Sequence, residues 1–320
     1  MSALNVDESL SGGNNAAFEA AAGNFRFPSL YFTNYLTAMS SQADSRLYWA
    51  SAEEESTELE IEDPSILLNN DIVAFYGHPS SRNMGILGRY SIEELDDMLG
   101  KVAAEYAAAN GGRGIRRAFY IIFGTVWPEG EIGIINEALL TRWIQYSLEH
   151  DILVFLDHQM GRYDPIDSLR RMLPWLRYPN VHLALDPEWR TRRPMKEIGT
   201  ITADELNRVQ QVMENYILEN GVFGERLLVI HQFNWRMIAN REQVKSDFNQ
   251  VRLVHCADGF GTPSVKRDSY AFNALARNIP IKGFKLFYDS GLPGAGYDYP
   301  LLSPADVYAL NPRPYLIMYQ

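Results

Sequence analysis

From residue 71 onward, short apolar runs alternate with longer segments whose apolar residues recur every three or four positions. Runs of the first kind read as strands covered on both faces, and segments of the second kind as amphipathic helices. Strands are expected at 71–78, 118–124, 151–157, 181–186, 226–231, 251–257, 283–288 and 315–319, and helices at 91–110, 136–150, 167–178, 202–220, 241–249, 263–278 and 303–310. Local chemistry marks several of the ends. Ser91 with Glu94 three residues later forms a capping box, Gly111-Gly112 stops the helix it starts, and Gly221 is placed to end the helix before it.

Eight such strands with helices between them predict a (β/α)8 TIM barrel, whose usual span of about 250 residues matches residues 71–320. A doubly wound sheet would place a glycine-rich phosphate turn after its first strand, where this chain has Tyr76-Gly77-His78-Pro79. Gln320 closes the eighth strand, so the barrel is expected to lack a C-terminal eighth helix. An N-terminal extension is expected to pack on it instead. The aromatic-dense stretch 25–50 (with Phe25, Phe27, Tyr31, Phe32, Tyr35, Tyr48 and Trp49) would cover the gap between the first and last helices. The division follows: residues 1–24 a flexible lead-in, 25–70 the extension with an acidic connector around Glu53–Glu62, and 71–320 the barrel.

The net charge of −11 argues against a nucleic-acid partner or an anionic membrane surface. One cysteine, Cys256, precludes an intrachain disulfide and a cysteine-rich zinc site. No run approaches the roughly 20 apolar residues of a membrane-spanning segment, and residues 1–10 lack the basic and apolar regions of a signal peptide. The compartment stays open: cytoplasmic as the chain stands, extracytoplasmic if a leader has been removed.

Active sites of TIM barrels form at the carboxyl ends of the strands. This chain gathers His78, Thr125, Asp157, His158, Gln159, Asp186, Glu188, Trp189, His231, Gln232, Asp258, Lys285, Asp289, Tyr319 and Gln320 there, against only Arg226, Arg252 and Lys282 at the strand starts. Period-two alternation places Asp186 and Glu188 on the side of small Ala184, and Lys285 and Asp289 on the side of Gly283. Two carboxylates beside a proline and a tryptophan suit glycosidic-bond chemistry, which needs one protonated acid and one ionised partner. Glu188, flanked by Pro187 and Trp189, is the expected general acid; Asp186 and Asp289 are the first candidates for partner, with Asp258 and Asp157 competing. Lys285 needs paired carboxylates if it is to stay charged inside the barrel. Tyr76, His78, Asp157, Gln159, Trp189, His231, Gln232, Asp258, Tyr319 and Gln320 are expected to bind substrate, and no cofactor is called for.

Two other readings stay open. A metal-dependent hydrolase could draw its ligands from Asp157, His231 and Asp258, although the first strand lacks a His-x-His pair. The barrel could also bind a glycan or envelope component without turning it over. A serine or cysteine nucleophile has no support, since no Gly-x-Ser-x-Gly turn is present and Cys256 lies within a strand. His182 and His255 read as core histidines. The basic group Arg190, Arg192, Arg193 and Lys196 could receive a substrate anion or simply balance nearby acids.

The motifs Tyr76-Gly77-His78-Pro79, Met84-Gly85-Ile86-Leu87-Gly88, Leu183-Ala184-Leu185-Asp186-Pro187-Glu188-Trp189, Val229-Ile230-His231-Gln232-Phe233, Asp258-Gly259-Phe260-Gly261 and Gly283-Phe284-Lys285-Leu286-Phe287-Tyr288, with the terminal Tyr319-Gln320, resemble an uncharacterised family of bacterial barrel proteins. Its members are often secreted or lipid-anchored, and the resemblance covers about residues 71 to 320. A wider resemblance is to glycoside hydrolase barrels, in which strand four carries the acid. That implies a carbohydrate or cell-envelope glycan as substrate and a role for Glu188, although Asp289 stands where many such enzymes carry glutamate.

Overall fold

The computed structural model describes residues 65–320; the lead-in, the aromatic stretch 25–50 and the acidic connector lie outside the described residues. Eight parallel strands close on themselves: β1 (Asn70–Gly77), β2 (Gly114–Val126), β4 (Ile152–Gln159), β5 (Val181–Asp186), β7 (Arg226–Gln232), β9 (Val251–Ala257), β10 (Lys282–Leu286) and β11 (Leu316–Tyr319). Pairing of β1 with both β2 and β11 completes the circle, so the chain folds as a TIM barrel. The short β3 (Ile132–Ile134) folds back antiparallel on β2, and β6 (Ile201–Thr202) pairs with β8 (Ile238–Ala239) outside the barrel wall.

The helices are α1 (Ile66–Asn69), α2 (Ile92–Ala109), α3 (Glu137–Glu149), α4 (Pro165–Met172), α5 (Ala203–Glu219), α6 (Pro263–Ala274) and α7 (Pro304–Tyr308). Ser91 and Glu94 form the expected capping box on α2, and Thr202 with Glu205 forms another on α5. One expected helix, at 241–249, is replaced by a single 3-10 turn at Arg241–Gln243 and an irregular segment. The backbone there is held from a distance. Asn278 donates to the carbonyls of Arg241 and Val244, Asn207 to that of Gln243 and Gln210 to that of Lys245, so the segment's polar groups are satisfied without a helix.

Two apolar cores result from the alternation along each strand. One fills the barrel, with Ala74, Tyr76, Ala118, Tyr120, Phe155, Ala184, Val229, Cys256 and Met318 among its members. The other lies between barrel and helices, with Phe75, Phe119, Val154, Leu183, Ile230, Phe284 and Tyr319. At the amino-terminal end of the barrel, Asp71 is bound by Arg113 and Arg313, tying the starts of β1, β2 and β11 together. Among the described residues no helix is long and apolar enough to cross a membrane.

The motif after β1 is structural. Gly77 and Gly85 face each other in an antiparallel bridge, with the Ile86 amide donating to the Tyr76 carbonyl and the His78 amide to the Met84 carbonyl. A Cβ on Gly85 would stand 2.3 Å from the Tyr76 oxygen and 2.7 Å from Gly77 Cα, which no side chain tolerates. Glycine at both positions lets the loop close against the strand that carries Tyr76.

Candidate active site

β5 ends where Pro187 can no longer supply a ladder donor, and the chain turns into a 3-10 turn at Pro187–Trp189. The Asp186 carboxylate caps that turn by accepting from the Glu188 amide at 3.1 Å. The loop beyond folds back, with the Gly199 amide donating to the Glu188 carbonyl at 2.7 Å. Glu188 is thereby fixed by its backbone, and its carboxyl is left at the partly buried rim of the barrel mouth.

Beneath it lies a buried polar cluster drawn from five strands. Tyr76 on β1 donates its hydroxyl to Asp157 Oδ2 on β4 at 3.0 Å. Tyr120 on β2 lies 2.7 Å from His231 Nε2 on β7, and its ring stacks on Phe155. His231 Nδ1 in turn stands 3.1 Å from Oδ2 of Asp258, the residue after β9. The alignment is too poor for a good hydrogen bond, so this contact is chiefly one of charge. Lys285 on β10 sets its ammonium 3.7 Å from the centre of the Tyr76 ring. Among the described residues it makes no ion pair; its direct partner is therefore an aromatic face, and not the carboxylate expected from the sequence.

The electrostatics divide the acids into two groups. Burial raises Glu188 from 4.5 to about 7, Asp258 adds to that rise, and Lys285 and His231 oppose it. Burial also raises Asp157 and, more strongly, Asp186. Asp258 goes the other way. Burial alone would raise it, but the His231 contact and charge, helped by Lys285 and Lys266, hold it below the ordinary carboxylate value. For His231, burial would lower the imidazole, yet Asp258, Cys256 and Asp157 together carry it well above its ordinary value. The surroundings thus push Glu188 towards the protonated form and Asp258 towards the ionised one, a separation of the kind that acid-base chemistry uses.

Of the residues expected from the sequence, Tyr76, Asp157, Asp186, Glu188, His231, Asp258 and Lys285 come together here. His78, whose Nδ1 accepts from the Ser80 amide at 3.1 Å, is driven down to about 4 by burial and stays neutral. Gln159 accepts from the Val126 amide at 3.0 Å and ties the ends of β4 and β2. Trp189 and Gln320 are partly exposed.

Other expectations need correction. Asp289 lies beyond the end of β10, is exposed, and accepts from the Gly291 amide in a turn; it is not part of the cluster. Gln232 faces away from the barrel interior, where its side-chain oxygen accepts from Arg241 and His255. Tyr319 also faces outward, with its hydroxyl 2.8 Å from that of Tyr106. His158 sits against Gly124 behind the wall, lowered to about 3 by burial. Arg190 makes a two-point pair with Glu205, and Arg193 pairs with Glu197, so both balance neighbouring acids. As expected, His182 and His255 are core residues, His182 accepting from the Leu227 amide. Tyr120, Lys266 and Asp298 escaped the sequence reading. Tyr120 alone had a local signal, sharing its side of β2 with small Ala118.

Asp157, His231 and Asp258 are already engaged with Tyr76, with Tyr120 and with each other. Among the described residues, no group of three or more His, Cys, Asp or Glu side chains is disposed to hold a metal ion.

No protein-family model matches the chain, and no curated protein matches it in sequence. The bacterial-family resemblance therefore stays an expectation. Among solved structures, the chain is similar to a GH138 enzyme targeting pectin rhamnogalacturonan II, with 9% identity and a TM-score of 0.41 over 79% of this chain and 34% of that one. It is also similar to a family 18 chitinase from Crocus vernus, with 10% identity and a TM-score of 0.40 over 78% of this chain and 92% of that one. The chain spans about a third of the GH138 enzyme's length. At such identities the chemistry has to be read from this chain's own residues.

Proposed function

We propose that the barrel is a glycoside hydrolase acting on a carbohydrate or cell-envelope glycan, with Glu188 as general acid and Asp258 as the ionised partner. The observation that carries this reading is the pairing of a carboxyl raised to about 7 with a second one held low by His231 in the same mouth. Glu188 would protonate the glycosidic oxygen as the C1–O bond breaks. The Asp258 carboxylate would support the positive charge that develops at the anomeric carbon, where water adds and yields its proton to an ionised carboxylate. Asp258 takes the partner role first given to Asp186 or Asp289, because Asp186 is itself raised and Asp289 faces solvent. Tyr76 and Lys285 would bind and orient sugar hydroxyls, with Asp157 holding the Tyr76 hydroxyl from below.

Exposed aromatic side chains fit the substrate class. Trp235 is 66% exposed, Phe260 53% and Tyr299 74%, in the loops that follow β7, β9 and β10 at the carboxyl ends of the strands. Flat apolar rings left in water at a polar site are suited to stacking on sugar faces. The test is hydrolysis of a panel of aryl glycosides and envelope glycans by wild type and Glu188→Gln. Turnover by the wild type, lost in Glu188→Gln, supports the assignment; turnover unchanged in the variant removes Glu188 from the acid role. Glycan affinity in the wild type with no turnover would make the barrel a binding protein. The anomeric configuration of the first product, read by NMR, would then distinguish retention from inversion.

A further inference from the structure

A second buried charge pair lies directly behind the site. Lys266, on the second turn of α6, and Asp298, in the loop after β10, are both buried, with Lys266 Nζ 3.3 Å from Asp298 Oδ2. A lysine ammonium has three protons to give, and Lys266 has three acceptors: Asp298, the carbonyl of Gly259 and the carbonyl of Lys285. Gly259 follows Asp258 in sequence, so one ammonium grips the backbone at both site-bearing strand ends, β9 and β10. Asp298 does the same from the other side. It accepts from the Gly261 amide through Oδ1 and from the Phe287 amide through Oδ2, each at 2.9 Å. The rings of Phe284 and Phe287 close over the ammonium at 4.8 and 5.1 Å.

We propose that Lys266 and Asp298 are positioning residues for the reaction, a clasp that fixes Asp258 and Lys285 relative to each other across β9 and β10. Neither touches the mouth. They act through the backbone of the loops that carry the reacting groups, and Lys266 adds positive charge that helps keep Asp258 ionised. A stability role alone would need no contact with these two loops in particular. Apart from the contact between the two side chains themselves, the clasp's side-chain hydrogen bonds are all made with the backbone, at 259, 261, 285 and 287. The inference rests on the proposed role of Asp258, but its test does not depend on turnover.

The experiment follows the Asp258 carboxyl by NMR titration of full-length protein carrying 13C at the aspartate side-chain carbons, the signal being assigned with Asp258→Asn. In the wild type the midpoint should lie below the ordinary aspartate value; a midpoint at or above that value overturns the proposal. Replacing the pair together, Lys266→Met with Asp298→Leu, leaves no unpaired charge behind. It should raise the Asp258 midpoint, because the lysine charge that helps hold it low is gone. Lys266→Gln, which loses only the charge, should move it the same way and serves if the double variant does not fold. Arg267→Ala, which breaks an exposed pair with Asp306 one residue along the same helix, should leave it unmoved. Folded double or Lys266→Gln protein with a wild-type Asp258 midpoint would reduce the clasp to a stabilising pair and overturn the proposal. If an aryl glycoside is turned over, kcat should fall at least tenfold in these variants with little change in KM. If none is, the hydrolase reading fails while the titration still decides this one.

Discussion

His231 and Asp258 face each other across the ends of β7 and β9, Nδ1 to Oδ2 at 3.1 Å, both buried. The other imidazole nitrogen lies 2.7 Å from the Tyr120 hydroxyl. Each member of the pair sets the charge of the other: the carboxylate holds the imidazole protonated, and the imidazolium holds the carboxylate ionised against burial. Asp258→Asn should uncouple them. Burial, already the largest single influence on His231, would then be opposed only by Cys256 and Asp157, and its midpoint should drop towards or below the ordinary imidazole value. Imidazole NMR titration measures this directly. Hydrolysis, once a substrate is in hand, should fall by about 100-fold or more, the range over which a reacting acid or base contributes.

Glu188 links catalysis to stability. Its carboxyl has an ordinary value of 4.5 and rises to about 7 in the fold. Between those values the folded protein holds a proton that the unfolded chain releases, so stability falls as pH rises through this window. A shift of that size corresponds to a loss of up to about 3 kcal/mol between pH 4 and pH 8. Glu188→Gln mimics the protonated carboxyl and carries no such penalty. Urea unfolding should show the variant close to wild type at pH 4 and more stable than wild type at pH 8. Equal stability at both pH values would mean that Glu188 is not held protonated by its surroundings.

Two residues from the original strand-end set should behave as ordinary structural positions. Asp289→Asn should alter neither stability nor turnover, since the side chain is exposed and serves one turn. Gln232→Ala leaves Arg241 and the buried His255 without their shared acceptor, which should cost about 1–3 kcal/mol. Turnover per folded molecule should stay unchanged. A loss of kcat in folded Gln232→Ala would place it in the site after all.

These two cases show how far the sequence can be read. Alternation placed Ala184, Asp186 and Lys285 on the interior side, and inside the strands it holds because the pleat has a strict period of two. It fails at Asp289 because β10 ends at Leu286, where the Asp298 carboxylate takes the Phe287 amide and the chain leaves the ladder. At Gln232 and Tyr319 the alternation was present but outweighed by their position at strand ends: Leu227, Val229 and His231 on one side already assign Gln232 to the other. The eight strands were legible because apolar runs bounded by caps and glycines are local signals. The missing helix at 241–249 was not, since the amides of Asn207, Gln210 and Asn278 that hold that segment come from 34 to 36 residues away on either side. Lys266 and Asp298 belong to the same class: one on a helix and one in a loop, brought together only by the closed barrel.

Lys285 offers the sharpest test of how the mouth divides its charges. Its ammonium rests on the Tyr76 ring, yet it lowers Asp157, Glu188 and Asp258 alike through its field. Lys285→Met keeps the stem packed and removes the charge. Glu188 and Asp258 should then both titrate higher, since each loses a nearby cation that favours its ionised form. In a profile of kcat/KM against pH, the acid limb reports ionisation of Asp258 and the basic limb loss of the Glu188 proton. Both limbs should move to higher pH, the basic limb from near 7 to above it. The same substitution removes a group proposed to bind the sugar, so the maximum should fall while the optimum rises. A lowered maximum with both limbs in place would mean that Lys285 acts by contact with substrate alone, and that Asp258 is kept ionised by His231 and Lys266 without it.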